Sequence, residues 1–204
     1  MPASRVSVVP GVALVVSAPS GAGKSSIIKR VLETEKEVEF SVSCTTRKPR
    51  RDEKDGVHYH FISVIEFSAL VERDAFIEHA EFSGNLYGTL RSEVEERIIA
   101  GKDVIIEVEV QGAALIKKAA SEGLLKECIH FLFISPPSRD ILESRLRGRG
   151  TDDEATVLRR LSVADYEMEQ AKWYDDVIVS DTVDAAAPKF IAVLDKKRAE
   201  LRCR

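Results

Sequence analysis

The stretch Ser17-Ala18-Pro19-Ser20-Gly21-Ala22-Gly23-Lys24-Ser25-Ser26 has the residue types needed to grip a polyphosphate. It fits the pattern G-x-x-x-x-G-K-[ST] at every defined position but the first, where Ala18 stands in place of glycine. Gly21 and Gly23 let backbone N–H groups curl round phosphate oxygens with no Cβ in the way. A helix opening directly after them adds its free N–H groups and partial positive charge. Lys24 is then placed to reach the β- and γ-phosphates, and the Ser25 hydroxyl is suited to ligate Mg²⁺. The expected nucleoside triphosphate site is therefore Ala18, Pro19, Ser20, Gly21, Ala22, Gly23, Lys24, Ser25 and Ser26.

A phosphoryl group taken from such a site needs an acceptor, and a second anion cluster offers one. Arg47-Lys48-Pro49-Arg50-Arg51 is the densest basic run, followed at once by Asp52-Glu53. Arg47 and Arg50, spaced around a proline, can fork onto one phosphate, and Tyr59 and Tyr87 can add phenol donors. Taken alone, the run reads first as a solvated turn, and far less readily as a weak nucleic-acid patch. The phosphate loop favours the acceptor reading.

These residues need a frame to hold them. Residues 12–17 form a short β-branched run, expected as a strand buried on both faces, with a helix over 24–32. Residues 104–110 and 129–134 are further buried-strand candidates, followed by helices over 113–120 and 139–147. A last strand over 177–179 precedes an amphipathic helix over 188–201. This alternation predicts a doubly wound α/β parallel sheet in three layers. Two excursions interrupt it. Residues 39–90 alternate at period two around polar turns and carry one helix at 64–72, the mark of a small, mixed α+β insert, largely antiparallel. A glycine-hinged polar segment at 148–154 opens a long helix reaching about residue 173. The expected organisation is a core of 1–38 and 91–204, with a helical lid near 145–160, and an insert of 39–90.

Composition bounds the reading further. The chain has 204 residues, 44% hydrophobic and 31% charged, enough to bury one core beneath a solvated surface. A net charge of −4 argues against a general nucleic-acid or membrane-surface binder. Cys44, Cys128 and Cys203 are scattered and lack a C-x-x-C pair, as expected of reduced thiols in a cytoplasmic protein without disulfide or zinc site. No apolar run approaches the roughly 18 residues of a spanning helix. Residues 6–18 mimic a secretion signal, but Pro10-Gly11 breaks the run and it leads straight into the phosphate loop.

Ser43-Cys44-Thr45-Thr46-Arg47-Lys48-Pro49-Arg50, Phe76-Ile77-Glu78, Ser83-Gly84-Asn85-Leu86-Tyr87-Gly88-Thr89, Val110-Gln111-Gly112 and Arg145-Leu146-Arg147-Gly148-Arg149-Gly150 together resemble the guanylate kinase family, over nearly the whole chain. The resemblance implies Mg-dependent, reversible phosphoryl transfer from ATP to GMP by a cytoplasmic monomer or homodimer that binds no nucleic acid or membrane. It implies that Arg47, Arg50, Tyr59 and Tyr87 hold the GMP phosphate, and that Glu78 and Ser43 read guanine with Thr89 nearby. Arg145, Arg149 and Arg160 would gather with Lys24 around the transferring group. Glu107-Val108-Glu109 stands where the family often has Asp-x-Asp, so Glu109 belongs with the GMP set and both carboxylates are candidates to meet Mg²⁺ directly or through water. Ser180-Asp181 replaces the asparagine–aspartate common at the adenine. Chemistry supports guanine independently: its N1–H and N2–H₂ are adjacent donors that one carboxylate accepts together, whereas adenine presents an acceptor at N1. Two other readings use the same residues: a phosphopeptide-binding scaffold of guanylate-kinase type, and a kinase for another phosphorylated acceptor.

Overall fold

The computed structural model describes residues 9–82, 84–148 and 153–203. In chain order the elements are β1 (Ala13–Ser17), α1 (Lys24–Thr34), β2 (Val38–Phe40), β3 (Cys44–Thr45), β4 (His60–Phe61), α2 (Val64–Glu72), β5 (Phe76–Phe82), β6 (Asn85–Leu90) and α3 (Arg91–Ile99). Then follow β7 (Asp103–Glu107), α4 (Val110–Ala119), α5 (Gly123–Cys128), β8 (Ile129–Ser135), α6 (Arg139–Gly148), α7 (Glu154–Gln170), a 3₁₀ turn (Ala171–Trp173), β9 (Asp176–Val179) and α8 (Val183–Arg202).

The larger sheet has five strands in the order β2-β7-β1-β8-β9, all parallel. Every residue of β1 is buried, which explains its unbroken apolar, β-branched sequence between two neighbours. The chain leaves β1 toward β2 and β7, then returns past it to β8 and β9. Parallel crossovers are right-handed, so this reversal sends the helices of the two halves to opposite faces and makes three layers. It also opens a crevice at the carboxyl ends of the strands beside β1, where ligands bind in sheets of this kind.

The second sheet has four strands in the order β4-β3-β6-β5. It is largely antiparallel, with β6 antiparallel to β3 and β5, and one parallel pairing, β3 with β4, makes it mixed. Its own small core is Cys44, Phe67 and Phe76, with the two phenyl rings stacked at 4.6 Å. Helix α2 starts where Ser63 and Glu66 cap each other reciprocally, a device written in four residues of sequence. A third cluster, Leu142, Leu146, Val157, Leu161 and Ala164, holds α6 to α7.

Some boundaries differ from the sequence expectation. Glu39 and Phe40 lie in β2 of the large sheet, so the chain departs toward the small sheet only after Phe40. The strand expected over 104–110 ends at Glu107, because Glu109 is already the extended residue before α4. The last helix begins at Val183, not at Pro188: Thr182 accepts the Ala185 N–H at 3.2 Å and fixes the start, leaving the proline inside. Helices α3 and α5 carry too short an apolar stripe to stand out in sequence. None of the three cysteines is in a disulfide.

Candidate active site

The phosphate loop leaves β1 at the crevice and turns into α1. Gly21 and Gly23 hold φ of +97° and +92°, a region closed to most side chains, so the glycines are required by backbone shape. Ala18, the departure from the motif, is buried and packs with the main core. The Ala22 N–H donates to the Pro19 carbonyl at 3.0 Å and keeps the loop tight. Lys24 Nζ donates to the Val108 carbonyl at 3.2 Å and lies 3.7 Å from Glu107 Oε1. Ser25 Oγ donates to that same carboxylate oxygen at 2.8 Å. The end of β7 thus supplies a negative group beside the motif's lysine and serine.

Ala18, Pro19, Ser20, Gly21, Gly23, Lys24, Ser25 and Ser26 line a cleft of about 780 Å³; Ala22 is wholly buried beneath it. Helix α7 forms the opposite wall with Arg160 and with Arg159, Val163 and Glu167, the last three of which the sequence did not single out. Burial pushes the Glu167 carboxyl up to about 7. Phe82, 52% exposed at the end of β5, reaches the same cleft. Arg145 is placed elsewhere: its Nη2 donates to the carbonyls of Ser180 and Asp181 at 3.1 and 2.7 Å, and it does not line the phosphate cleft. Arg149 lies outside the described residues.

A second cleft, of about 280 Å³, opens between the small sheet and the start of α4. Ser43, Arg47, Arg50, Tyr59, Glu78, Tyr87, Glu107 and Glu109 all line it. These come from separate stretches of the chain, and the small sheet brings them together by pairing β3 with β6 and β6 with β5. Glu78 is 8% exposed, and burial raises its carboxyl above the ordinary range. Thr89, buried behind it on the paired strand, donates its hydroxyl to Glu78 Oε1 at 2.8 Å. Thr89 therefore supports Glu78 from behind and does not line the cleft.

At the other end of this cleft Arg47 is already engaged. Its guanidinium forks onto Glu53 with both contacts at 2.9 Å, and Glu53 also accepts the Arg50 N–H at 2.7 Å. The fork holds the Glu53 carboxyl down to about 2. Arg47 also lies 5.5 Å above the Tyr59 ring, which meets Tyr87 edge-on at 5.9 Å. Glu53 is a site residue that the sequence reading passed over; its signal was an acidic pair directly after a basic run. Glu109 lines both clefts and stands at their junction. Solvent reaches it, yet enough protein surrounds its carboxyl to raise its pKa, with Lys24 pulling the other way.

The phosphate-loop cleft and the pocket lined by Glu78, Arg47 and Arg50 thus meet at Glu109. The sequence pattern of the guanylate kinase family matches residues 11–197. The chain belongs to the guanylate kinase family. It is 41% identical over 192 residues to the guanylate kinase of Desulfitobacterium hafniense, covering 94% of this chain and 93% of the relative. It is 42% identical over 184 residues to that of Neisseria gonorrhoeae, covering 90% and 87%. Among solved structures it is similar to the guanylate kinase from Anaplasma phagocytophilum, with a TM-score of 0.72, 32% identity, and 94% and 87% of the two chains covered. Members of this family are nucleoside monophosphate kinases, and the doubly wound parallel sheet belongs with that assignment.

Proposed function

We propose that the phosphate-loop cleft takes ATP, that the smaller cleft takes GMP, and that the γ-phosphoryl group passes between them where Glu109 stands. The chain is an ATP:GMP phosphotransferase by family. The observation that carries the acceptor assignment is the buried Glu78 carboxylate, with Thr89 on one oxygen and Arg47, Arg50, Tyr59 and Tyr87 at the far end of the cleft. A carboxylate there accepts guanine N1–H and N2–H₂ together, and the Ser43 hydroxyl can donate to O6. Adenine would leave both groups mismatched, and buried polar mismatches of this kind discriminate by roughly 10⁴–10⁵.

In the transfer, an oxygen of the GMP phosphate bonds to the γ-phosphorus while the bond from that phosphorus to the β-bridging oxygen breaks, leaving ADP with the electron pair. The acceptor oxygen is already ionised, so no general base is needed; positioning and charge neutralisation lower the barrier. Lys24, Arg159 and Arg160 face the donor phosphates, and Arg47 and Arg50 hold the acceptor phosphate in line. Arg47 must share or leave Glu53 to do so. Arg145, tied to the carbonyls of Ser180 and Asp181, belongs to the donor nucleotide's base end on this reading, and Arg149 stays with the transferring group by family resemblance.

The residues fit a magnesium ion. Ser25 and Glu107 set two hard oxygen donors side by side. Among the described residues no cluster of three or more His, Cys, Asp or Glu could cage a metal alone. Mg²⁺ in such sites takes one or two protein oxygens and the rest from phosphates and water. Ser25 and Glu107 would hold it, and when bound it would neutralise charge on the phosphates. Among the described residues no helix is long and apolar enough to cross a membrane, and the cytoplasm is the compartment proposed.

The test is ADP release from Mg·ATP with GMP, AMP, UMP or no acceptor in parallel. GMP-dependent release, nearly absent with AMP, is expected. GMP binding without ADP release would make the chain a scaffold. Equal rates with every acceptor would defeat the guanine assignment.

A further inference from the structure

Two residues line both clefts and so frame the place where they meet, Glu109 and Phe82. Glu109 brings a carboxylate to the junction. Phe82 brings a phenyl ring to a passage walled chiefly by the phosphate loop, Lys24, Arg159 and Arg160, and the phosphoryl transfer makes no use of it. Isolated exposed apolar residues need no special reason, and Ile65 on α2 is more exposed still but lines neither cleft. Phe82 differs in where it is aimed. Side chains alternate across a sheet, so Glu78, Ala80 and Phe82 share one face of β5, and all three line the acceptor cleft. His79 turns to the other face, where its ring lies 6.2 Å from that of Phe67 and 6.0 Å from that of Phe76. Strand β5 therefore runs along the cleft from Glu78 at the base end to Phe82, about 13 Å further on, at the donor end. Phe82 pairs with Asn85 on β6, which holds its backbone in the sheet. Across the donor cleft stands Val163 on α7, a second exposed apolar side chain.

Water is the rival of GMP at this junction. In hydrolysis a water oxygen bonds to the γ-phosphorus and the bond from that phosphorus to the β-bridging oxygen breaks. ADP leaves with the electron pair, and a proton passes from the attacking water to solvent. Lys24, Arg159 and Arg160 would promote that reaction along with the transfer, because they act on the γ-phosphoryl group whichever oxygen attacks it. Choosing between the two acceptors requires a group that keeps water out and offers it no hydrogen bond. A phenyl ring is bulky, stiff and without a polar atom. We propose that Phe82 is a specificity-determining residue whose ring, with both nucleotides in place, shields the junction of the two clefts from water and so directs the γ-phosphoryl group to GMP.

The inference rests on the ATP:GMP reading, and one reaction separates the two. GDP and inorganic phosphate are quantified together at saturating Mg·ATP and GMP for the wild type, Phe82→Ala and Phe82→Leu. Phe82→Ala is expected to raise the ratio of phosphate to GDP by at least about tenfold. Phe82→Leu keeps an apolar cover and is expected to stay within about threefold of the wild type. The ring is half-exposed, so truncating it opens no cavity in a core. The ratio belongs to each active molecule: a loss of folded protein scales both products alike and leaves it unchanged, so a merely structural role for the ring would not move it. A ratio in Phe82→Ala within about threefold of the wild type, or equal leakage in Ala and Leu, overturns the shield. Wild-type protein that forms no GDP from GMP defeats the functional reading itself. Wild-type protein that forms GDP, with the ratio unmoved in Phe82→Ala, defeats the shield alone.

Discussion

Replacing Glu78 by glutamine changes one atom and should separate base recognition from everything else the site does. The side chain is 8% exposed and its Oε1 already accepts the Thr89 hydroxyl at 2.8 Å. A glutamine that keeps its oxygen toward Thr89 turns an NH₂ toward guanine's own N–H donors. Flipped, it leaves the Thr89 hydroxyl facing an NH₂ and still offers guanine one acceptor in place of two. Either way one or two hydrogen bonds to a charged group are lost, each worth about 1.5–3 kcal/mol. A net loss of about 2–4 kcal/mol predicts a fall of about 30- to 1,000-fold in kcat/KM for GMP. Glu78 does not line the phosphate cleft, so KM for ATP should stay put. The assay is ADP release with each substrate titrated separately. A kcat/KM for GMP within threefold of the wild type would refute the reasoning. Stability should move the other way. Burial raises the folded-state pKa of Glu78 above its ordinary value of 4.5, so the ionised form costs the fold at neutral pH. That cost is relieved as pH falls through the raised value. The Gln variant should therefore melt no lower than the wild type at pH 7, while GMP affinity of the wild type should begin to fail above pH 4.5 on acidification.

Four further outcomes are expected. Lys24→Met should lower kcat by at least about 10²–10³, since it removes a preorganised charge from the donor phosphates, and a rapid-quench assay of GDP formation would measure it. Glu53→Ala should raise KM for GMP about three- to tenfold, because Arg47 loses the fork that aims it and the Arg50 N–H loses its acceptor; titrating GMP at saturating ATP reads this directly. The Glu53–Arg47 pair has a depressed carboxyl at about 2, so its stabilisation is full above the ordinary 4.5 and lost as pH falls through about 2; the melting difference between wild type and Glu53→Gln should shrink across that window. Gly88→Ala should destabilise the small sheet by about 1–3 kcal/mol, seen in a denaturant melt, because overpacking strains a filled core. Its new Cβ would lie 2.8 Å from the Phe76 ring.

The phosphate loop was legible from sequence because everything it needs is contiguous. A buried strand, two glycines at left-handed φ, a lysine and a hydroxyl, then a helix, follow one another directly between Ala13 and Thr34. The alternation of strands and helices was legible for the same reason, since periodicity is local. Tyr59 and Tyr87 could be nominated because phenols suit a phosphate, and Glu78 because its motif resembles that of a known family. Helix starts were harder. Pro188 signalled a beginning that Thr182 had already made, because a side-chain cap satisfies the backbone N–H groups a helix leaves bare and so sets where it opens.

Tertiary structure alone chose partners. Ser25 finds Glu107 across 82 residues and Lys24 finds the Val108 carbonyl across 84. That pairing exists because β7 lies beside β1 in the sheet. Arg47, read from sequence as a phosphate ligand, spends its fork on Glu53, and Arg145 spends its Nη2 on the carbonyls of Ser180 and Asp181. Glu167 looked like one polar residue among many on a long helix until folding buried it against the loop. Residue types and their spacing determine which chemistry a chain can perform, because local geometry fixes how a short segment presents its groups. Which charge meets which, and how far each is removed from water, depends on segments remote in sequence. Those contacts are decided only when the sheet assembles.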